Sequence, residues 1–182
     1  MADRFAAEMW IGGTVTRDVA DELADQIRTS DLGTEWGEHN LATIDVNDDI
    51  FETCTDLDGT LRVCDAEARF GELEDLEEFC RENKISYDRR SEGKYEYDPE
   101  LVRYRPATGV DCQITVEDGR IIVEADALTP IQESLAHLIT HLQAHGITTR
   151  EDVIKRLDIV QEKLKSILPP EIPALHPFKI ED

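Results

Sequence analysis

The order of hydrophobic patterns along this 182-residue chain predicts an α+β fold: a ferredoxin-like βαββαβ unit extended by an extra antiparallel hairpin, followed by a C-terminal αα-hairpin. Three observations predict it. Strand-like and helix-like periodicities follow one another as β-α-β-β-α-β over residues 5–92, two β-rich runs meet at Asp118-Gly119, and apolar residues step by four and three through 129–168. The corresponding organisation is a sheet domain over 1–128, with the ferredoxin-like core at 5–92 and further strands within 100–127. A helical hairpin over 129–168 and an extended tail over 169–182 complete it.

The first strand is read at Phe5–Val15, where "FAAEMWIGGTV" carries large apolar residues up to a turn-like Gly12-Gly13. A helix follows, with Thr16 as N-cap, acidic residues in the first turns where the macrodipole favours anions, and Val19, Leu23 and Ile27 recurring at four-residue spacing. "SDLGTEWGEHN" breaks that periodicity and reads as a loop. Two strand-like runs, "DIFETCTDL" and "TLRVCDAEARF", then flank Asp58-Gly59. Leu73, Leu76, Phe79 and Cys80 mark the inner stripe of a second helix ending near Lys84, and "ISYDRRS" reads as the next strand. Both helices are expected on one face of the sheet, since right-handed crossovers favour that packing.

Beyond Pro99 a strand at "LVRYR" precedes "DCQITVEDGRIIVEADA". A two-residue Asp118-Gly119 turn sets Val116 against Ile121, Ile114 against Val123 and Cys112 against Ala125, with Gln113, Glu117, Arg120 and Glu124 on the other side. Thr129-Pro130-Ile131-Gln132 then offers an N-cap, a proline at the first helical position and a glutamine at N3, with Gly146 placed to close the helix. Thr148 and Glu151 open another. The seams Ile131, Leu135, Leu138, Leu142 and Val153, Leu157, Val160, Leu164, Ile167 suit an antiparallel helix pair or a homodimer through these helices. Pro169-Pro170 ends it.

Charge is the strongest compositional feature: 41 acidic against 19 basic residues, net −22. Residues 1–100 hold 28 of the acids and 10 of the bases, so the negative field belongs mainly to the N-terminal part. Such a surface repels nucleic acid and anionic membrane and attracts basic partners over about 8 Å at physiological salt. No run approaches a membrane span and the N-terminus has no apolar leader, so a soluble cytoplasmic protein is expected. The four cysteines, Cys54, Cys64, Cys80 and Cys112, have neither zinc-pair nor disulfide-framework spacing and are read as reduced, mostly buried thiols.

One short motif invites an enzymatic reading. Asp56-Leu57-Asp58-Gly59-Thr60-Leu61 resembles the first motif of the haloacid dehalogenase-like hydrolases, a resemblance that implies an Mg²⁺-dependent phosphatase with Asp56 as nucleophile and Asp58 as acid/base. That chemistry needs an apolar parallel strand before the first aspartate. Here Glu52, Thr53, Cys54 and Thr55 alternate in polarity, and Asp58-Gly59 between two β-rich runs is itself a turn signal, so a turn and no catalytic residue is expected.

Three further constellations carry chemistry. His137, His141 and His145 recur at i, i+4, i+8, a spacing that can chelate a transition metal but here follows the flank of an amphipathic helix, so no metal or other cofactor is expected. Tyr95, Tyr97 and Arg103 lie in a Tyr/Arg-rich segment, 84–105, of the composition that protein-binding hot spots favour, and make a regulatory binding module the third reading. Finally, Asp18, Asp21, Glu22 and Asp25 share the outer face of the first helix, while Glu74, Asp75, Glu78 and Glu82, with Glu77, surround Arg81 on the second. Carboxylates on one helix face stand about 5–6 Å apart at Cβ, the same few-ångström scale as phosphates along a nucleic-acid strand.

The expected function is therefore non-enzymatic: an acidic surface that engages a basic, nucleic-acid-binding protein and makes no direct contact with nucleic acid. In class it resembles the acidic nucleic-acid mimics that mobile elements use as inhibitors of restriction or CRISPR machinery.

Overall fold

A computed structural model describes residues 3–38, 40–94, 97–117, 120–123, 125–145 and 150–181. The fold is mixed α+β, and the chain divides into two compact units, Met1–Arg120 with Ile172–Asp182, and Ile121–Glu171.

In the first unit β1 (Arg4–Thr16) leads into α1 (Arg17–Thr29), α2 (Asn47–Cys54), β2 (Leu61–Arg69), α3 (Glu74–Glu82), β3 (Ser86–Ser91), β4 (Glu100–Arg105) and β5 (Val110–Glu117). The strands are ordered β2-β1-β3-β4-β5, ending on the two-residue β6 (Arg120–Ile121). β2 and β3 both run antiparallel to β1 and flank it, joined through α3, which is the split arrangement anticipated for this segment. The full ferredoxin-like pattern is not established, because "DIFETC" forms α2 where a strand was expected. The reason lies in burial: Ile50, Phe51 and Cys54 are buried at helical spacing, and Asp48 and Asp49 sit in the first turn.

Alternation sorts the sheet into two faces. Register aligns Met9 with Val63 and Arg89, Ile11 with Leu61 and Tyr87, and Arg89 with Val102. On this face Ala20, Leu23, Ala24 and Ile27 of α1, Ile50 and Phe51 of α2, and Leu76 and Cys80 of α3 join the sheet in one buried cluster. Burial of such side chains stabilises by roughly 1.5–3 kcal/mol each before the chain's ordering entropy is subtracted. The second face is laced with ion pairs instead. Arg62 meets Glu8 at 2.9 Å, and Asp88 receives Arg105 at 2.8 Å and Arg103 at 3.6 Å.

The tail docks. Phe178–Glu181 forms β7, which pairs in parallel with Gly13–Thr16 of β1, beyond the stretch shared with β2 and β3. Gly12 permits this, since a Cβ there would lie 2.1 Å from the carbonyl oxygen of His176. Phe178 stacks on Phe51 at 5.4 Å between ring centroids, and the buried Arg105 donates from Nε to the Pro173 carbonyl at 3.1 Å.

In the second unit α4 (Ala125–His145) and α5 (Arg150–Ile167) are antiparallel: Lys163 Nζ donates to Ser134 Oγ at 2.7 Å near one end, and His141 Nε2 lies 3.4 Å from Asp152 near the other. α4 begins four residues before the anticipated Thr129 cap and takes Pro130 into its interior, so Ala125 belongs to a helix and not to a strand opposite Cys112. The Asp118-Gly119 turn, Glu124, and the capping residues Gly146 and Thr148 lie outside the described residues.

Candidate functional site

Two helices present carboxylates to solvent while burying their opposite stripes against the sheet. Spacing in the sequence dictates this: Leu23 and Ile27 face inward, which turns Asp18, Glu22 and Asp25 outward, all exposed, with Asp21 half-buried between them. On α3 Leu76 and Cys80 are buried, and Glu74, Asp75, Glu78 and Glu82 are exposed.

Neutralisation within the molecule is uneven. Arg28 pairs with Asp25 and also donates to the Ile44 carbonyl and to Asn47 Oδ1, tying α1 to the segment before α2. Asn47 Nδ2 in turn donates to Asp21 at 3.0 Å, and Arg17 meets Asp48 at 2.7 Å. Two of the four α1 acids are thus engaged. Asp18, Glu22, Glu74, Asp75, Glu78 and Glu82 have no partner among the described residues. Arg81, the cation of α3, lies 3.6 Å from Asp111 and 3.8 Å from Glu77, so it leaves the exposed acids of its own helix uncompensated.

Glu77 does not belong to that outer row. It is buried at 5% exposure, with Oε1 lying 2.7 Å from Nε of Arg89, itself 2% exposed, and Oε2 accepting from the Tyr87 hydroxyl at 3.1 Å. Arg89 also donates to the Gly71 carbonyl at 2.7 Å and meets Glu100 at 3.3 Å, so each charge is both paired and hydrogen-bonded, which a buried ion needs. Burial and the neighbouring Glu77 carboxylate push the Tyr87 phenol well above its ordinary range. Sequence reasoning placed Glu77 among the surface acids and missed the pair. The signal was present, for Ile85, Tyr87, Arg89 and Ser91 alternate onto the core face, and a buried arginine there demands an acid from the covering helix.

Beside this pair a cleft of about 610 Å³ opens between α3 and the sheet, lined by Glu72, Glu74, Glu78, Arg81, Glu82 and Gln113 among others. Glu72 is exposed, and partial desolvation at the cleft wall lifts its carboxyl above the ordinary range; Arg89 opposes that, and Glu77, Glu100 and Glu74 reinforce it. Five glutamates line the cleft against Arg81 and Arg89.

The phosphatase-like motif has a different environment. α2 and not a strand precedes Asp56, and Thr55 bridges antiparallel to Leu61. The Asp56 amide donates to the Thr60 carbonyl at 2.8 Å, and the Gly59 amide, at φ +81°, donates back to Asp56 at 2.9 Å. Asp58 accepts from the Thr60 hydroxyl at 2.6 Å and amide at 3.0 Å, bonds that hold its carboxyl below the ordinary range. This is a tight turn entering an antiparallel strand, on which both aspartates serve as turn acceptors.

In the Tyr/Arg segment Tyr97 stacks on Phe5 and Phe70 at 5.6 and 5.9 Å between ring centroids, and Arg103 lies 3.6 Å from Asp88. Both groups are used inside the fold, and Tyr95 lies outside the described residues. His137 and His141 line a groove on α4 with Glu133, while the His145 side chain is not among those described; no group of three potential ligands occurs among the described residues. Cys54, Cys64 and Cys80 are buried free thiols, and Cys112 is half-buried; burial, helped by Cys64, pushes Cys54 up to about 12. No helix among the described residues is long and apolar enough to cross a membrane. Comparison with protein-family models, with curated proteins and with solved structures finds no match to this chain.

Proposed function

We propose that this protein is a non-enzymatic binding protein whose acidic helical layer engages a basic, nucleic-acid-binding protein in the manner of a nucleic-acid mimic, and that its sheet unit is a variant of the ferredoxin-like pattern. The observation that carries this reading is the set of six exposed carboxylates without internal partners, Asp18, Glu22, Glu74, Asp75, Glu78 and Glu82, on two helices that share one buried cluster. An arrangement meant only for solubility would gain from interspersed cations, and the second sheet face has them: Glu8 with Arg62, Asp88 with Arg103 and Arg105. The α3 cleft adds a recess for a lysine or arginine side chain, so a partner's basic groove could both lie along the carboxylates and insert one cation.

The test is titration of a labelled arginine-rich peptide by anisotropy across a salt series. Affinity falls steeply with added salt in the wild type, and the triple reversal Asp18→Lys, Glu22→Lys, Glu78→Lys lowers it by about a hundredfold, equivalent to about 2.8 kcal/mol. Reversal of three other exposed acids, Glu92, Asp98 and Glu171, controls for net charge alone and leaves most of the affinity. A salt-insensitive complex, or equal losses in both triple variants, refutes the assignment. Captured proteins from a lysate at low and high salt would then supply the physiological partner, expected among basic DNA- or RNA-binding proteins.

A further inference from the structure

A second recess lies where the docked tail meets the sheet, and its chemistry is the reverse of the acidic layer. It has a volume of about 590 Å³, within the usual range of small-molecule sites, and its lining contains Lys84 and Lys179 but no aspartate or glutamate. In a chain with 41 acidic residues an acid-free recess with two ammonium groups is an exception that calls for a cause. Neither lysine has an ion-pair or hydrogen-bond partner for its ammonium among the described residues, whereas Arg62, Arg89 and Arg105 are all engaged.

Lys84 brings an independent observation. It sits just past the C-terminus of α3 with φ +55°, a left-handed conformation in which glycine is unstrained and a side chain costs roughly 1 kcal/mol. The conformation is held by the Lys84 amide donating to the Arg81 carbonyl at 3.2 Å and the Ile85 amide donating to Cys80 at 2.8 Å. Asp31 and Phe70 share this conformation, and at Lys84 it sets where the side chain leaves the end of α3 to line the recess. Lys179, carried by β7, lines the same recess, and Ser86 and Thr14 add hydroxyls without internal partners, so the tail's return to β1 completes the recess. Pro106, Ala107 and Pro177 supply an apolar wall.

We infer that this recess binds a phosphomonoester: two point-charge ammonium groups and two hydroxyls hold the phosphate dianion, and a small organic body rests on the proline wall. Lysine binds phosphate as a compact point charge, and two of them balance the charge of a dianion. The volume exceeds what a lone phosphate fills, which argues for the ester.

The experiment is a titration of the full-length ¹⁵N-labelled protein with inorganic phosphate and with phenyl phosphate, followed by amide shifts and set against chloride and sulfate at matched ionic strength. Because the protein carries net charge −22, non-specific anion binding is disfavoured and a saturable response requires a local site. The expected result is saturation confined to Gly12, Gly13, Ser86 and the tail, tighter for phenyl phosphate. Lys84→Gly, which also relieves the positive φ and so raises the melting temperature, and Lys179→Ala each weaken it at least about tenfold. Absence of saturation with either phosphate, an equal response to sulfate or chloride, or full binding retained in both variants overturns the assignment. None of these readouts depends on the acidic helical layer.

Discussion

The sheet unit and the helical unit solve the burial problem to different degrees. In the sheet unit Met9, Ile11, Leu23, Ile27, Leu61 and Leu76 are all at 1% exposure or less, and three helices contribute to the cluster. Among the described residues of the helical unit only Ile131 and Leu138 are buried, at 8% and 7%, and α5 buries no residue. Leu135, Ile139, Ile154, Leu157 and Leu164 remain between 39% and 54% exposed. Charge differs in the same sense. The sheet unit holds 33 acidic and 14 basic residues, the helical unit 8 and 5. Amphipathic spacing makes a helix, but a stripe is buried only where a second layer covers it, and two helices alone provide little cover.

The largest effect expected in a test of this contrast comes from the ion pair that joins α3 to the sheet. Arg89→Met strands the buried Glu77 carboxylate and costs about 3–5 kcal/mol in denaturant unfolding, while adding Glu77→Leu recovers much of the loss. A cost below about 1 kcal/mol for the single variant would show that Glu77 reaches water, contrary to the geometry.

Matched truncations come next. Leu23→Ala removes a fully buried side chain and costs about 2–5 kcal/mol, whereas Leu157→Ala, 47% exposed, changes the stability of the isolated chain by under about 1 kcal/mol. Equal costs would mean that the α5 face is covered in solution, as a homodimer through these helices would cover it, and sedimentation at two concentrations would then decide.

Removing the tail's aromatic is expected to cost less than the core truncation. Phe178→Ala loses the stack on Phe51 and loosens β7 from β1, for about 1–3 kcal/mol, with faster amide exchange confined to Gly13–Thr16. Unchanged exchange there would place the hold of the tail at Arg105 and Pro173 instead.

The smallest effect is electrostatic. Glu72 is exposed, and partial desolvation raises its folded-state pKa above its unfolded value, so its charged form destabilises the fold slightly at pH values above that folded pKa. The penalty shrinks as pH falls through the folded value and vanishes below the unfolded one, at about pH 4. Glu72→Gln therefore raises the melting temperature at pH 7 and not at pH 4. A variant equally stabilised at both would show that packing, not charge, is responsible.

Much of the sheet unit was legible because its residues answer to local rules. Alternation marks Phe5, Ala7, Met9 and Ile11 as one face, and Leu23 and Ile27 mark the inner stripe of α1. The misreading of 49–57 has a physical source: Ile50, Phe51 and Cys54 fit a short amphipathic helix as well as a half-exposed strand, and only the layer above the sheet selects the helix. The acidic rows were legible by spacing alone. The Asp25–Arg28 pair also follows from i,i+3 spacing, although the sequence reading did not draw it. That Asp21 is held by Asn47 and that Glu77 turns inward were not legible, because their partners are 26 and 12 residues away and no periodicity links them.

By itself the sequence determined the helical and extended stretches with outward faces crowded by carboxylates, since helix and strand periods follow from backbone geometry and the charge from composition. Tertiary structure alone decided that Asp21 meets Asn47, where Arg89 finds its acid, and that the tail returns to β1 and brings Lys179 to the acid-free recess that Lys84 also lines. These depend on groups distant in the chain meeting in space, and such meetings are set by how layers pack and not by any local repeat.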